Sequence, residues 1–86
     1  AMTFVKFCGM TREQDVQAAC ELGVDALGFV MWPRSPRFVP APRVAALVKR
    51  MSSDTVPVGV LVTPSLDEVQ AAIDAGIRIL QLHGYT

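Results

Sequence analysis

The chain repeats itself. Residues 15–29 read DVQAACELGVDALGF, and residues 68–82 read EVQAAIDAGIRILQL. Val16, Gln17, Ala18, Ala19, Gly23 and Leu27 recur as Val69, Gln70, Ala71, Ala72, Gly76 and Leu80. Self-similarity of this kind marks one supersecondary unit used more than once. The unit reads as a helix, a glycine stop and a strand. Val16, Ala19 and Cys20 share one face at helical spacing, as do Val69, Ala72 and Ile73. Gly23 and Gly76 are placed to supply the left-handed position just past a helix end.

The helix starts agree with the repeat. Thr11-x-x-Gln14 and Ser65-x-x-Glu68 both read as capping boxes, each offering a hydroxyl to an early N–H and a longer side chain back to the cap. A third helix starts near Pro42, where the missing N–H costs nothing in a first turn. Its apolar stripe is Val44, Leu47, Val48 and Met51. Four strands fit around the helices: Phe4–Cys8, Ala26–Val30, Pro57–Val62 and Arg78–Leu82. Strands alternating with helices pair in parallel through right-handed crossovers. The class is α/β, in one unit over residues 1–86, with no domain boundary, charge block or low-complexity stretch.

Composition narrows the function classes. Eight basic and eight acidic residues leave a net charge of zero, so no basic excess exists to neutralise phosphates. A nucleic-acid partner is not expected. No apolar run reaches the length of about 18 residues that a membrane helix needs, and no signal peptide is visible. Two cysteines, Cys8 and Cys20, are too few for a disulfide scaffold and show no metal-ligand spacing. A reducing cytoplasm is the default location. Ala1 before Met2 reads as a residue left from a tag and is set aside.

Parity within the strands points to one rim. Lys6 and Cys8 share a face of the first strand, and Ile79, Gln81 and His83 share a face of the last. Both sets bring polar groups to the C-terminal ends of strands, where parallel α/β folds bind ligands. The longest irregular stretch, Met31–Ala41, follows the second strand and carries three prolines with Arg34 and Arg37. A long loop in a compact chain is often functional. Cys8, this loop, Thr63 and His83 are therefore expected to converge.

Several segments resemble a known family. Val5-Lys6-Phe7-Cys8-Gly9-Met10-Thr11 is similar to the opening strand and loop of the phosphoribosylanthranilate isomerases of tryptophan biosynthesis. Asp25-Ala26-Leu27-Gly28-Phe29-Val30, followed by Ser35-Pro36-Arg37-Phe38-Val39, resembles that family's second strand and its Ser-Pro-Arg-aromatic loop. Val58-Gly59-Val60 and Gln81-Leu82-His83-Gly84 resemble its third and fourth strands. The resemblance implies part of a (β/α)8 barrel, a TIM barrel, here with four parallel strands and three helices. It implies an Amadori rearrangement of an aminoaldose phosphate to an aminoketose phosphate, with no cofactor and no metal. Cys8 corresponds to the family's general base. Arg37 corresponds to the arginine that contacts the anthranilate end of the ligand, and His83 to a position at the fourth strand's mouth. The family's general acid and phosphate site lie on later strands, beyond Thr86. The chain is therefore expected to be an N-terminal half-barrel, inactive alone, acting on a small sugar phosphate.

Plainer readings stand beside these. A free cysteine is commonly a small buried hydrophobe, whereas Cys8 as a base needs a thiolate. Lys6 on the same face could favour that thiolate, or could be structural. Cys20 reads as packing. Arg37 could pair bidentately with a carboxylate or phosphate, or be a solvated cation, as one of Arg34 and Arg37 must be. His83 could bond backbone rather than ligand. Trp32 could cover a ligand ring or anchor the loop. Gly28 and Gly59 imply close approach of neighbouring atoms. Two further functions compete: another sugar-phosphate barrel epimerase or synthase, since fold alone does not fix function, and a non-catalytic half-barrel module. The open edges of the first and fourth strands invite self-association or a complementing C-terminal half.

Overall fold

A computed structural model describes residues 3–84. The elements are β1 (Lys6–Cys8), α1 (Glu13–Glu21), β2 (Ala26–Val30), α2 (Ala41–Val48), β3 (Val56–Val62), α3 (Leu66–Asp74) and β4 (Ile79–His83). All strand pairs are parallel, in the order β1-β2-β3-β4. The expected α/β class, with four strands and three helices, is the one observed.

Register assigns the two faces of the sheet. Cys8 pairs with Gly28, Gly28 with Val58, and Val58 with Ile79. Val30, Val60 and Gln81 form the next row of the same face, and Val62 with His83 the last. The opposite face carries Leu27, Phe29 and Leu61, fully buried under the helices with Val16, Ala19, Val44, Leu47 and Ala72. Burial of these side chains, about 1.5–3 kcal/mol each for the larger ones, fixes the helices to one side. The other side carries the polar groups.

Both repeats end identically. Gly23 and Gly76 have φ of 79° and 101°. The Gly23 N–H donates to the Cys20 carbonyl and the Val24 N–H to that of Ala19, at 3.0 and 3.3 Å. The Gly76 N–H to Ile73 and the Ile77 N–H to Ala72 reproduce this pair at 3.0 and 3.1 Å. These paired bonds satisfy the last helical carbonyls and turn the chain into the next strand.

The starts differ. At α3 the box forms, with the Glu68 N–H donating to Ser65 Oγ and the Ser65 N–H to Glu68 Oε1, both 3.2 Å. At α1 the Thr11 box does not form. Arg12 is the N-cap, without a side-chain cap bond. Its guanidinium instead grips Asp15 through two bonds of 3.0 and 3.1 Å. The helix thereby starts one residue later, and Glu13 and Asp15 complement its positive end.

Three smaller differences are local. β1 is shorter than expected: at Val5 the N–H donates to Asp25 Oδ2 at 2.7 Å, while the carbonyl still accepts from the Asp25 and Ala26 N–H groups. α2 stops at Val48, leaving Met51 past its end yet still packed on the core. Ile73 is half exposed rather than buried. Among the described residues, no helix is long and apolar enough to cross a membrane.

Candidate active site

The rim expected from parity exists. Cys8 closes β1 and is exposed. Its Sγ lies across the position a Gly28 side chain would occupy: a Cβ there would come within 2.9 Å of the sulfur. Glycine at position 28 therefore gives the thiol its place on the sheet. Gly59 serves packing instead, since a Cβ there would meet Ile77 at 3.1 Å on the helix side.

The Met31–Ala41 loop folds back over this corner. The Val39 N–H donates to the Val30 carbonyl at 2.8 Å and clamps the loop to the end of β2. Within it the Ser35 N–H bonds to the Trp32 carbonyl at 3.0 Å, and Ser35 Oγ accepts from the Arg37 N–H at 3.1 Å. These turns aim Arg37 at the loop after β1. Gly9, the residue after Cys8, has φ of 83°, and a Cβ on it would sit 2.7 Å from Arg37 Nη1 and 2.8 Å from Cδ. The guanidinium therefore rests on the backbone next to Cys8. Trp32 is about one-third exposed (37 %) and can offer apolar surface at the rim. An apolar cavity of about 200 Å³ lies behind the loop, lined by Met31, Phe38, Leu61 and Ala71. Because Leu61 faces the helices, this space is on the far side of the sheet from Cys8.

His83 ends β4 and is exposed. Its Nε2 lies 3.2 Å from Gln81 Nε2. Lys6 Nζ donates to Gln81 Oε1. β1 and β4 are three strand spacings apart, and Gln81 sits four residues further along the register. In a flat sheet that separation is about 19 Å, more than side chains standing off the sheet can span. The sheet therefore curves toward this face, as a barrel wall does, and Lys6 and Gln81 meet across its hollow. Strand alternation puts Lys6 on the face of Cys8 and Gln81 on the face of His83 but does not pair them. Their alignment depends on curvature, which no local pattern encodes.

Thr63, at the end of β3, was also expected at the rim. Its φ of 37° is unusual for a β-branched residue. The Thr63 N–H bonds to the His83 carbonyl at 3.0 Å, and its Cγ2 fills the space where Gly84 lacks a Cβ. Cys20 packs on the core and accepts from the Ser52 N–H at 3.4 Å, in agreement with a packing role. Among the described residues no group of three or more His, Cys, Asp or Glu side chains could hold a metal ion.

A curved parallel sheet with helices on its convex side, and a thiol, a guanidinium and an imidazole at the C-terminal ends of its strands, has the layout of one wall of a (β/α)-barrel. The comparisons with known proteins carry this further. The family model described as N-(5'phosphoribosyl)anthranilate (PRA) isomerase matches residues 5–86. The chain belongs to that family. It is 47 % identical over 83 residues to N-(5'-phosphoribosyl)anthranilate isomerase of Dechloromonas aromatica, covering 95 % of the chain and 40 % of the relative. It is 42 % identical over 84 residues to that of Syntrophus aciditrophicus, covering 96 % and 36 %. A crystal structure of phosphoribosyl anthranilate isomerase in complex with reduced 1-(o-carboxyphenylamino)-1-deoxyribulose 5-phosphate superposes with a TM-score of 0.92 at 30 % identity, over 99 % of this chain and 44 % of that one. The chain thus spans about two-fifths of the length of the relatives it matches.

Proposed function

We propose that this chain supplies the first four strands of a phosphoribosylanthranilate isomerase barrel, with Cys8 as its general base. The observation that carries the reading is the corner at Gly9. Cys8 ends β1, and the next residue, Gly9, carries the Arg37 side chain from the loop after β2, so the two groups are brought near only in the folded chain.

The chemistry follows from what each group can do. Opening of the ribose ring, assisted by an acid, leaves an iminium at C1. The C2 proton then becomes acidic. Cys8 as a thiolate takes that proton, and the C2–H electrons move to form the enolamine. Tautomerisation gives the aminoketose. No net oxidation occurs and no cofactor is consumed. Arg37 presents a planar fork suited to the carboxylate of an anthranilate ring. The solved relative's ligand carries such a carboxyphenyl group. His83 lies where it can bond a sugar or anthranilate oxygen. By resemblance, the acid and the phosphate site belong to strands that follow β4 in the family.

The edges fit the same reading. Phe4, Val5 and Phe7 beside β1, with Ile79 and Leu82 on β4, are exposed large apolar residues. Unpaired edges of this kind are a template for further strands. The partner they await is the remainder of the barrel or, in its absence, a second copy. Such biosynthetic chemistry belongs in the cytoplasm, where free thiols stay reduced.

The test is a turnover assay on N-(5'-phosphoribosyl)anthranilate. The chain alone is expected to show none. Adding the C-terminal remainder of a related barrel is expected to restore it. Turnover by the chain alone, abolished by Cys8→Ala, would overturn this division of the site.

A further inference from the structure

Gln81 sits between two groups that leave it little choice of orientation. Lys6 carries an ammonium, which can only donate. Because Lys6 Nζ donates to one end of the Gln81 amide, that end is the oxygen. The other end, the NH₂, then faces His83 Nε2 at 3.2 Å. An amide NH₂ can only donate. The His83 nitrogen it meets must therefore accept, so it carries no proton. A neutral imidazole has one N–H, which is left at Nδ1. Among the described residues, Gln81 is the one side-chain hydrogen-bond partner of the His83 ring.

We propose that Lys6 and Gln81 are positioning residues that fix the tautomer of His83, with its proton on Nδ1. His83 then meets its ligand as a hydrogen-bond donor to oxygen, the role a carboxylate, sugar or phosphate oxygen would use, and not as a base. The chain of donors runs across the hollow from β1 to β4, so strand curvature and ring orientation are coupled. This deepens the reading of His83 as a ligand contact. Its test reads the ring itself, so it stands or fails independently of whether the isomerase reading is right.

The experiment is two-bond ¹H–¹⁵N correlation of the imidazole in the intact, ¹⁵N-labelled protein at about pH 9, above the ordinary histidine range. The His83 signals are assigned by their loss in His83→Asn. The wild type is expected to show a pyrrole-type Nδ1 and a pyridine-type Nε2. Unrestrained imidazole in water prefers the reverse. Gln81→Leu removes the donor and is expected to return the ring to that preference. Gln81→Glu replaces the donor by an acceptor and is expected to place the proton fully on Nε2. Lys6→Met frees the amide to turn and is expected to give a mixture. A wild-type ring protonated at Nε2 would overturn the proposal. So would an unchanged Nδ1–H ring in Gln81→Leu, or in Gln81→Glu should the first variant fail to fold.

Discussion

The Arg37 side chain lies on Gly9, with Nη1 and Cδ at 2.7 and 2.8 Å from where a Cβ on that glycine would stand. Gly9 also has a left-handed φ of 83°. An alanine there meets both obstacles. Gly9→Ala is expected to destabilise the fold by about 1–2 kcal/mol through its backbone. It is also expected to move the guanidinium and raise KM more than it lowers kcat. Denaturant titration and steady-state kinetics on the intact enzyme check the two parts separately.

Gly28 performs the same service for Cys8. A Cβ there would lie 2.9 Å from Sγ and 3.3 Å from the Cys8 backbone Cα. The backbone atom cannot step aside as a side-chain tip can. Gly28→Ala is expected to cost about 1–3 kcal/mol by overpacking. It should also lower kcat, because the thiol is displaced. Gly23→Ala makes a useful contrast, since nothing lies within 4 Å of that position and its cost comes from φ alone.

The two helix starts separate a motif that forms from one that does not. Ser65→Ala removes a hydroxyl that accepts from the Glu68 N–H and is expected to cost about 1 kcal/mol. Thr11→Ala removes no cap bond, and its effect is expected to stay within about 0.5 kcal/mol. Thermal unfolding of the two variants makes the comparison.

Asp15 should leave a mark on the acid limb of stability. The hydrogen bonds from Arg12, and then its charge, hold the Asp15 carboxyl below its ordinary value against opposing desolvation. A carboxyl with a depressed folded pKa adds stability above its unfolded pKa, about 4. That stability is lost as pH falls through the depressed folded value. Wild type and Arg12→Ala should therefore differ above about pH 4 and converge on further acidification. The pair is solvent-exposed, so the difference should also shrink in high salt. Urea unfolding across acidic pH, at low and high ionic strength, measures both trends.

What was legible in the sequence was what local chemistry dictates. The repeat's glycines had to be helix stops, because the next residues read as strands. Alternation in β4 put Gln81 and His83 on one face before any coordinates. Thr11 misled because spacing alone cannot see a competing cation. Arg12 could reach Asp15, and the helix started where that bond formed. The Arg37 seat on Gly9 and the Lys6–Gln81 bond were invisible for a different reason. Each joins segments far apart in sequence, and each exists only because the loop folds back or the sheet curves. Thr63's left-handed backbone runs against the preference of a β-branched residue, and its N–H bonds across to the His83 carbonyl.

The most direct measurement is kcat for N-(5'-phosphoribosyl)anthranilate in the barrel reconstituted from this chain and the C-terminal remainder of a related barrel, wild type against Cys8→Ala. If Cys8 takes the C2 proton, kcat falls by about 10²–10⁴-fold, while KM changes little. A Cys8→Ala variant that folds and turns over within a few-fold of wild type would mean that the base lies elsewhere.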